Sequence, residues 1–110
     1  MDINVGSGRT LLSYHTEKIG EDIVVKVLGG KAHIGSVAVG CDGKNTVITA
    51  KTHKDNFLAE PLIKALIGEF SCNCVVMAGF HADDITKEEI ATVLKNHQKG
   101  ISLVVNSLKK

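Results

Sequence analysis

Three of the five histidines stand where the chain pattern places strand ends: His33 in Gly-Gly-Lys-Ala-His-Ile-Gly, His53 in Lys-Thr-His-Lys-Asp, and His81 in Ala-Gly-Phe-His-Ala-Asp-Asp. Imidazole titrates near neutral pH and can act as acid, base, hydrogen-bond donor or metal ligand. If the strand ends are adjacent, these rings converge with Asp55, Asp83 and Asp84 into a shared polar pocket, with or without a transition metal. No local metal signature is present, such as paired His at i and i+4 around a Glu, so a resident metal is not the expectation. Taken singly, the plainer reading of each His is that it packs at an edge and satisfies a backbone carbonyl.

Two further groupings are weaker. Cys72 and Cys74, two apart on a strand, point to one side and could share a soft ligand, although small core residues are the plainer reading. Gly6-Ser7-Gly8-Arg9 could curl round a phosphate, but it lacks the strand-loop-helix setting of phosphate loops, and residues 1–8 read as a flexible arm. With three cysteines in no framework spacing, free thiols are expected.

The elements that must position these groups follow from periodicity. Residues 10–17, 22–28, 32–41 and 45–51 form short β-branched runs separated by Gly20-Glu21, Gly29-Gly30-Lys31 and Asp42-Gly43-Lys44, which predicts four antiparallel strands in a meander. Ile23, Val25 and Val27 share the core face of the second. In the third, neither face is polar, which predicts that both are covered. Leu58, Leu62, Leu66 and Phe70 step by four, so 56–70 is a helix, starting near Ala59 or bent at Pro61. The unbroken apolar run 72–80 reads as a strand buried on both faces near the sheet centre. Thr86 and Glu89 fit a capping box. The stripe Ile90, Leu94, His97, Ile101, Val104 and Leu108 then continues through Gly100 as one long helix, or as two pieces with a C-cap there.

The order is β-β-β-β-α-β-α: an α+β chain of 110 residues, a single domain with an antiparallel sheet of about five strands and its helices packed on one face. The last helix exceeds what a small sheet needs, so a homodimer is expected. Thirteen basic against twelve acidic residues, with Arg9 the only arginine and few aromatic residues, argue against nucleic acid. With no apolar run of spanning length and a polar N-terminus, no membrane partner is expected, and the expected setting is cytoplasmic.

Gly-Gly-Lys-Ala-His-Ile-Gly-Ser-Val-Ala-Val-Gly at 29–40, His53-Lys54-Asp55, and Ala-Gly-Phe-His-Ala-Asp-Asp-Ile-Thr-Lys-Glu-Glu-Ile at 78–90 together resemble the family of small gallate decarboxylase subunits also described as LpdD-like prenylated flavin chaperones. The resemblance runs from Gly8 to about Asn96. It implies a fold similar to that of proteasome assembly chaperones and a non-catalytic accessory role in maturing a prenylated-FMN-dependent hydroxyarene decarboxylase. It also implies a UbiD-like large subunit as partner and transient contact with prenylated FMN. The positions it carries over are His33 with Gly35, His53 with Lys54 and Asp55, and His81 with Asp84. Phe80 stands where the family has a small aliphatic residue, and Pro61 enters the helix after the second motif. Such a ligand needs an apolar wall, for which Phe80, Met77 and Val76 are candidates, and donors and charge, for which His33, His53, Lys54 and Arg9 are. Two other readings remain: an assembly module without ligand, and a small enzyme using the His/Asp pocket. No nucleophile-base signature favours the latter.

Overall fold

The computed structural model describes residues 1–50 and 56–109. Among them, a six-stranded sheet runs β1 (Asp2–Val5), β2 (Leu12–Ile19), β3 (Asp22–Gly30), β6 (Cys74–His81), β4 (Ser36–Cys41), β5 (Lys44–Thr49) in spatial order. Helices α1 (Asn56–Glu69) and α2 (Lys87–Leu108) pack on one face, with a 3-10 turn at Gly8–Thr10. The architecture is α+β, as the pattern indicated.

The four-strand meander is corrected. The turn at Gly29-Gly30-Lys31 does not make a hairpin, because β6 lies between β3 and β4, parallel to the first and antiparallel to the second. The reason is hydrophobic: Val75 to Ala78 is the run best able to be flanked on both edges, whereas β5 carries Lys44 and Asn45 and suits an edge. A sixth strand is added where an arm was expected. Asp2–Val5 pair with β2 at the edge, and the Met1 amine donates to the Thr16 carbonyl at 3.1 Å.

Alternation decides what each face meets. Leu12 and Tyr14 of β2, Ile23, Val25 and Val27 of β3, Ala38 of β4, and Cys74, Val76 and Ala78 of β6 are buried under the helices. The reverse face carries Val24, Leu28, Val37, Val39, Ile48, Val75 and Met77 around Lys26, and among the described residues no helix lies on it; Val39 is 53% and Ile48 70% exposed. The expectation that both faces of β4 are covered therefore fails within one chain.

Because β3 and β4 flank β6, residues 31–35 must cross its end. This strap is bonded down by Lys31 N to the His81 carbonyl (2.9 Å) and Gly35 N to the Ala78 carbonyl (2.8 Å). It lies directly on Gly79, where any Cβ would collide with the backbone carbonyl of His33.

Helix α1 contains Pro61, so the Phe57 carbonyl receives no bond from position 61. Helix α2 starts with the expected capping box, Glu89 N donating to Thr86 Oγ1 at 3.1 Å and Thr86 N to Glu89 Oε1 at 3.0 Å. It runs unbroken through Gly100, because the Tyr14 ring occupies the space a Cβ would need. Its buried residues are Val93, His97, Gly100, Val104 and Val105; His97 and Val104 of the stripe read from sequence are among them, while its Ile90 and Leu94 are exposed.

One polar set ties the layers together. Tyr14 Oη donates to His97 Nδ1 at 2.6 Å, and His97 Nε2 donates to the Leu58 carbonyl at 2.7 Å, joining β2, α2 and α1 in the core. The two rings stack with centroids 5.8 Å apart. This arrangement requires neutral imidazole, and burial holds the His97 pKa below its ordinary 6.5.

Below about pH 6.5 the unfolded chain takes up a proton that folded His97 refuses, so stability falls as pH falls toward the folded pKa, by at most about 1.4 kcal/mol per pH unit. Urea midpoints between pH 7.5 and 5.5 will show it, and His97→Gln will flatten the slope. Tyr14→Phe leaves Nδ1 buried without a partner and costs about 1–3 kcal/mol in the same assay. Gly68→Ala, with open space around it, gains about 0.5–1 kcal/mol, whereas Gly100→Ala and Gly79→Ala each lose about 1–3 kcal/mol.

Candidate functional site

The strap and the end of β6 bring two of the three histidine motifs together. Gly30 pairs with His81 in the parallel register of β3 and β6, and the His33 backbone lies over Gly79, two residues before His81. His53, Lys54 and Asp55 lie outside the described residues; the last described residue before them, Ala50, donates its N–H to the Gly35 carbonyl at 2.7 Å, so β5 also ends at the strap.

Asp83 is the centre of the charged contacts. Its Oδ1 accepts from His81 Nε2 at 2.9 Å, its Oδ2 from Lys31 Nζ at 3.0 Å, and its backbone carbonyl from Arg9 Nη2 at 2.5 Å. Arg9 Nε also donates to Glu89 Oε2 at 2.8 Å, so one guanidinium joins the β6–α2 turn to the first turn of α2. The bond from His81, then Lys31, holds the Asp83 carboxyl below the usual carboxylate range. Arg9 and the cap at Thr86 bring Glu89 down to about 2. Apart from half-buried Glu89 these side chains are substantially exposed, so the pairs orient groups more than they stabilise the fold.

The tautomers follow from the partners. His33 Nδ1 donates to the Lys31 carbonyl at 3.0 Å, and His81 donates through Nε2, so each neutral ring has its other nitrogen as an acceptor and each protonated ring a second donor. Asp84, one of the sequence candidates, sits in the turn at φ 51°, the left-handed region, while its neighbour Asp83 makes the side-chain bonds. Gly35 contributes backbone only, anchoring the strap.

Of the apolar candidates, only Met77 shares the helix-free face with His81. Val76 is fully buried beneath the sheet, and Phe80 points to the helix side near Gly29. On the open face Met77 is flanked directly by Lys26 of β3 and Val37 of β4, with Val24, Leu28 and Val75 around them. Asp83 was among the sequence candidates for the pocket; Lys31 and Glu89 are site groups missed as such from the sequence, and Arg9, named as a donor, was assigned to an arm. The only local signal was that Asp83 lies two residues after His81 and Lys31 two before His33. Among the described residues, no three His, Cys, Asp or Glu side chains are placed to hold one metal ion. Nor is any helix among them long and apolar enough to cross a membrane.

A known structure shares this fold, and known sequences resemble this one. A chain from a chaperone complex for yeast 20S proteasome assembly superposes with a TM-score of 0.66 at 14% identity, covering 99% of this chain and 93% of that one, which shows the shared fold. Protein LpdD of Lactiplantibacillus plantarum is 34% identical over 88 residues, 66% of this chain; the match spans 59% of that relative's length. Residues 6–109, which hold the strap, β6 and the Arg9 clamp, match the prenylated flavin chaperone LpdD-like domain, and the chain belongs to that family.

Proposed function

We propose that the protein is a non-catalytic accessory chaperone of a prenylated-FMN-dependent hydroxyarene decarboxylase of the gallate type, binding the cofactor or the apo-enzyme during maturation in the cytoplasm. The observation that carries this reading is the strap: it lays the His33 backbone over Gly79 and brings Lys31 to Asp83, the partner of His81, at the end of the strand whose open face carries Met77. A flavin has an apolar ring system, a pyrimidine edge that pairs with donors and acceptors, and a phosphate. Met77 and its neighbours fit the first, the two imidazoles fit the second, and Lys31 fits the third. His53, Lys54, Asp55 and Asp84 belong to the same proposal through the family resemblance.

Anaerobic titration with prenylated FMN, followed by the flavin spectrum, should give saturable binding that weakens at least about tenfold in His81→Ala and in Asp83→Asn, which frees His81 and Lys31 together. Absence of binding by either prenylated FMN or FMN up to about 100 μM, or about −5.5 kcal/mol, would refute cofactor handling. Capture of a UbiD-like large subunit in that case would leave a ligand-free assembly module as the reading.

The second reading has its own support in the open sheet face, where apolar residues surrounding Lys26 are more numerous than solitary surface residues require. The proposed occupant is a second copy of the chain, forming a homodimer. Solution mass should report a dimer, and Val39→Lys or Met77→Lys should give a folded monomer; a wild-type monomer at micromolar concentration would exclude it.

A further inference from the structure

At the end of β6 remote from the histidines, the chain enters the strand through Cys72-Asn73-Cys74. The middle residue is pinned. Asn73 N donates to Asp22 Oδ1 at 3.0 Å, its side-chain amide donates to Asp22 Oδ2 at 3.4 Å, and its carbonyl accepts from Ile23 N at 3.0 Å. With Asn73 held this way, the flanking side chains turn to one side and their Sγ atoms lie 3.8 Å apart. Cys74 is buried and donates to the Cys72 carbonyl at 3.7 Å, while Cys72 is half-buried and reachable from solvent.

We propose that Cys72 and Cys74 are a redox-active dithiol that hydroperoxides close to an intramolecular disulfide. The half-exposed Cys72 reacts first. Its thiolate attacks one peroxide oxygen, the O–O bond breaks, and Cys72 becomes a sulfenic acid as water departs. The Cys74 sulfur then attacks the Cys72 sulfur; the S–O bond breaks, and hydroxide leaves as water with the Cys74 proton. Two thiols and one hydrogen peroxide thus give one disulfide and two waters, the peroxide taking two electrons.

Three features support a dithiol over two inert core residues. The sulfurs are already in contact, so closure needs side-chain rotation and little chain movement. Asp22 fixes the turn in place, which removes most of the entropy cost of bringing the sulfurs together. Cys41 is exposed on the opposite face of the sheet, as the alternation from its neighbour Gly40, which pairs with Cys74, requires, so the sheet lies between it and the Cys72–Cys74 pair. Burial pushes the Cys74 thiol to about 12, which slows the second step and lets the sulfenic acid persist. A ring closed across a single residue is strained, so the disulfide is readily reduced.

Intact mass and free-thiol count of the full chain after hydrogen peroxide test this directly. The expected result is loss of two hydrogen masses and two of the three thiols, reversed by dithiothreitol and retained in Cys41→Ser. Cys72→Ser and Cys74→Ser, each checked for folding by circular dichroism, should abolish closure, and Cys74→Ser should retain a dimedone-reactive sulfenic acid at Cys72. Addition of oxygen to the wild type without the loss of two hydrogens would overturn the proposal, as would a disulfide that includes Cys41.

Discussion

The structure depends on one crossing. Two strands that follow each other in sequence, β3 and β4, are separated in space by β6, and only five residues link them. The link has to pass over the intervening strand at a distance a side chain would forbid, and Gly79 is where it does so. From this contact come the position of the His33 backbone over Gly79, the anchoring of Gly35 to Ala78, and the placing of Lys31 within reach of Asp83. The charged cluster rests on a backbone constraint; the side chains orient it but do not create it.

A second constraint acts beneath the sheet. The Tyr14–His97–Leu58 chain of hydrogen bonds fixes how α2 lies on α1 and on β2, and Gly100 is the gap in α2 into which the Tyr14 ring fits. Since α2 begins at the capping box, the same placement sets Glu89 where Arg9 can reach it. The core and the surface cluster are thus two ends of one rigid helix. Every buried side-chain nitrogen and oxygen among the described residues has a partner, which is what a core containing a histidine requires.

Local signals were legible in the sequence and long-range ones were not. Alternation assigned Ile23, Val25 and Val27 to the core, the spacing of Thr86 and Glu89 marked the start of α2, and the apolar density of 72–80 placed that strand near the centre. Turn chemistry then misled: Gly29-Gly30-Lys31 has the composition of a hairpin, but a hairpin and a crossing strap both need glycine, and only the partner at Gly79 distinguishes them. Arg9 looked mobile because its acceptors, Asp83 and Glu89, are more than seventy residues away. His81 ends β6 as the pattern indicated, but His33 does not open a strand: it lies in the 31–35 strap, and the crossing over Gly79 brings its backbone toward His81; Asp83 could not be separated from Asp84 without knowing which of them occupies the left-handed turn position.

The insertion of β6 also orders the assembly of the chain. Without it the sheet is two local pieces, the β1–β2–β3 meander and the β4–β5 hairpin, with no hydrogen-bonded strand pairing between them. Each can form from neighbours in sequence, but their junction waits for residues 74–81, more than forty positions beyond the end of β3. Joining them is a high-contact-order event and sets a slow step in folding. Until it occurs, β3 and β4 each present an open edge, and a nascent chain stopped short of β6 would display both to other strands.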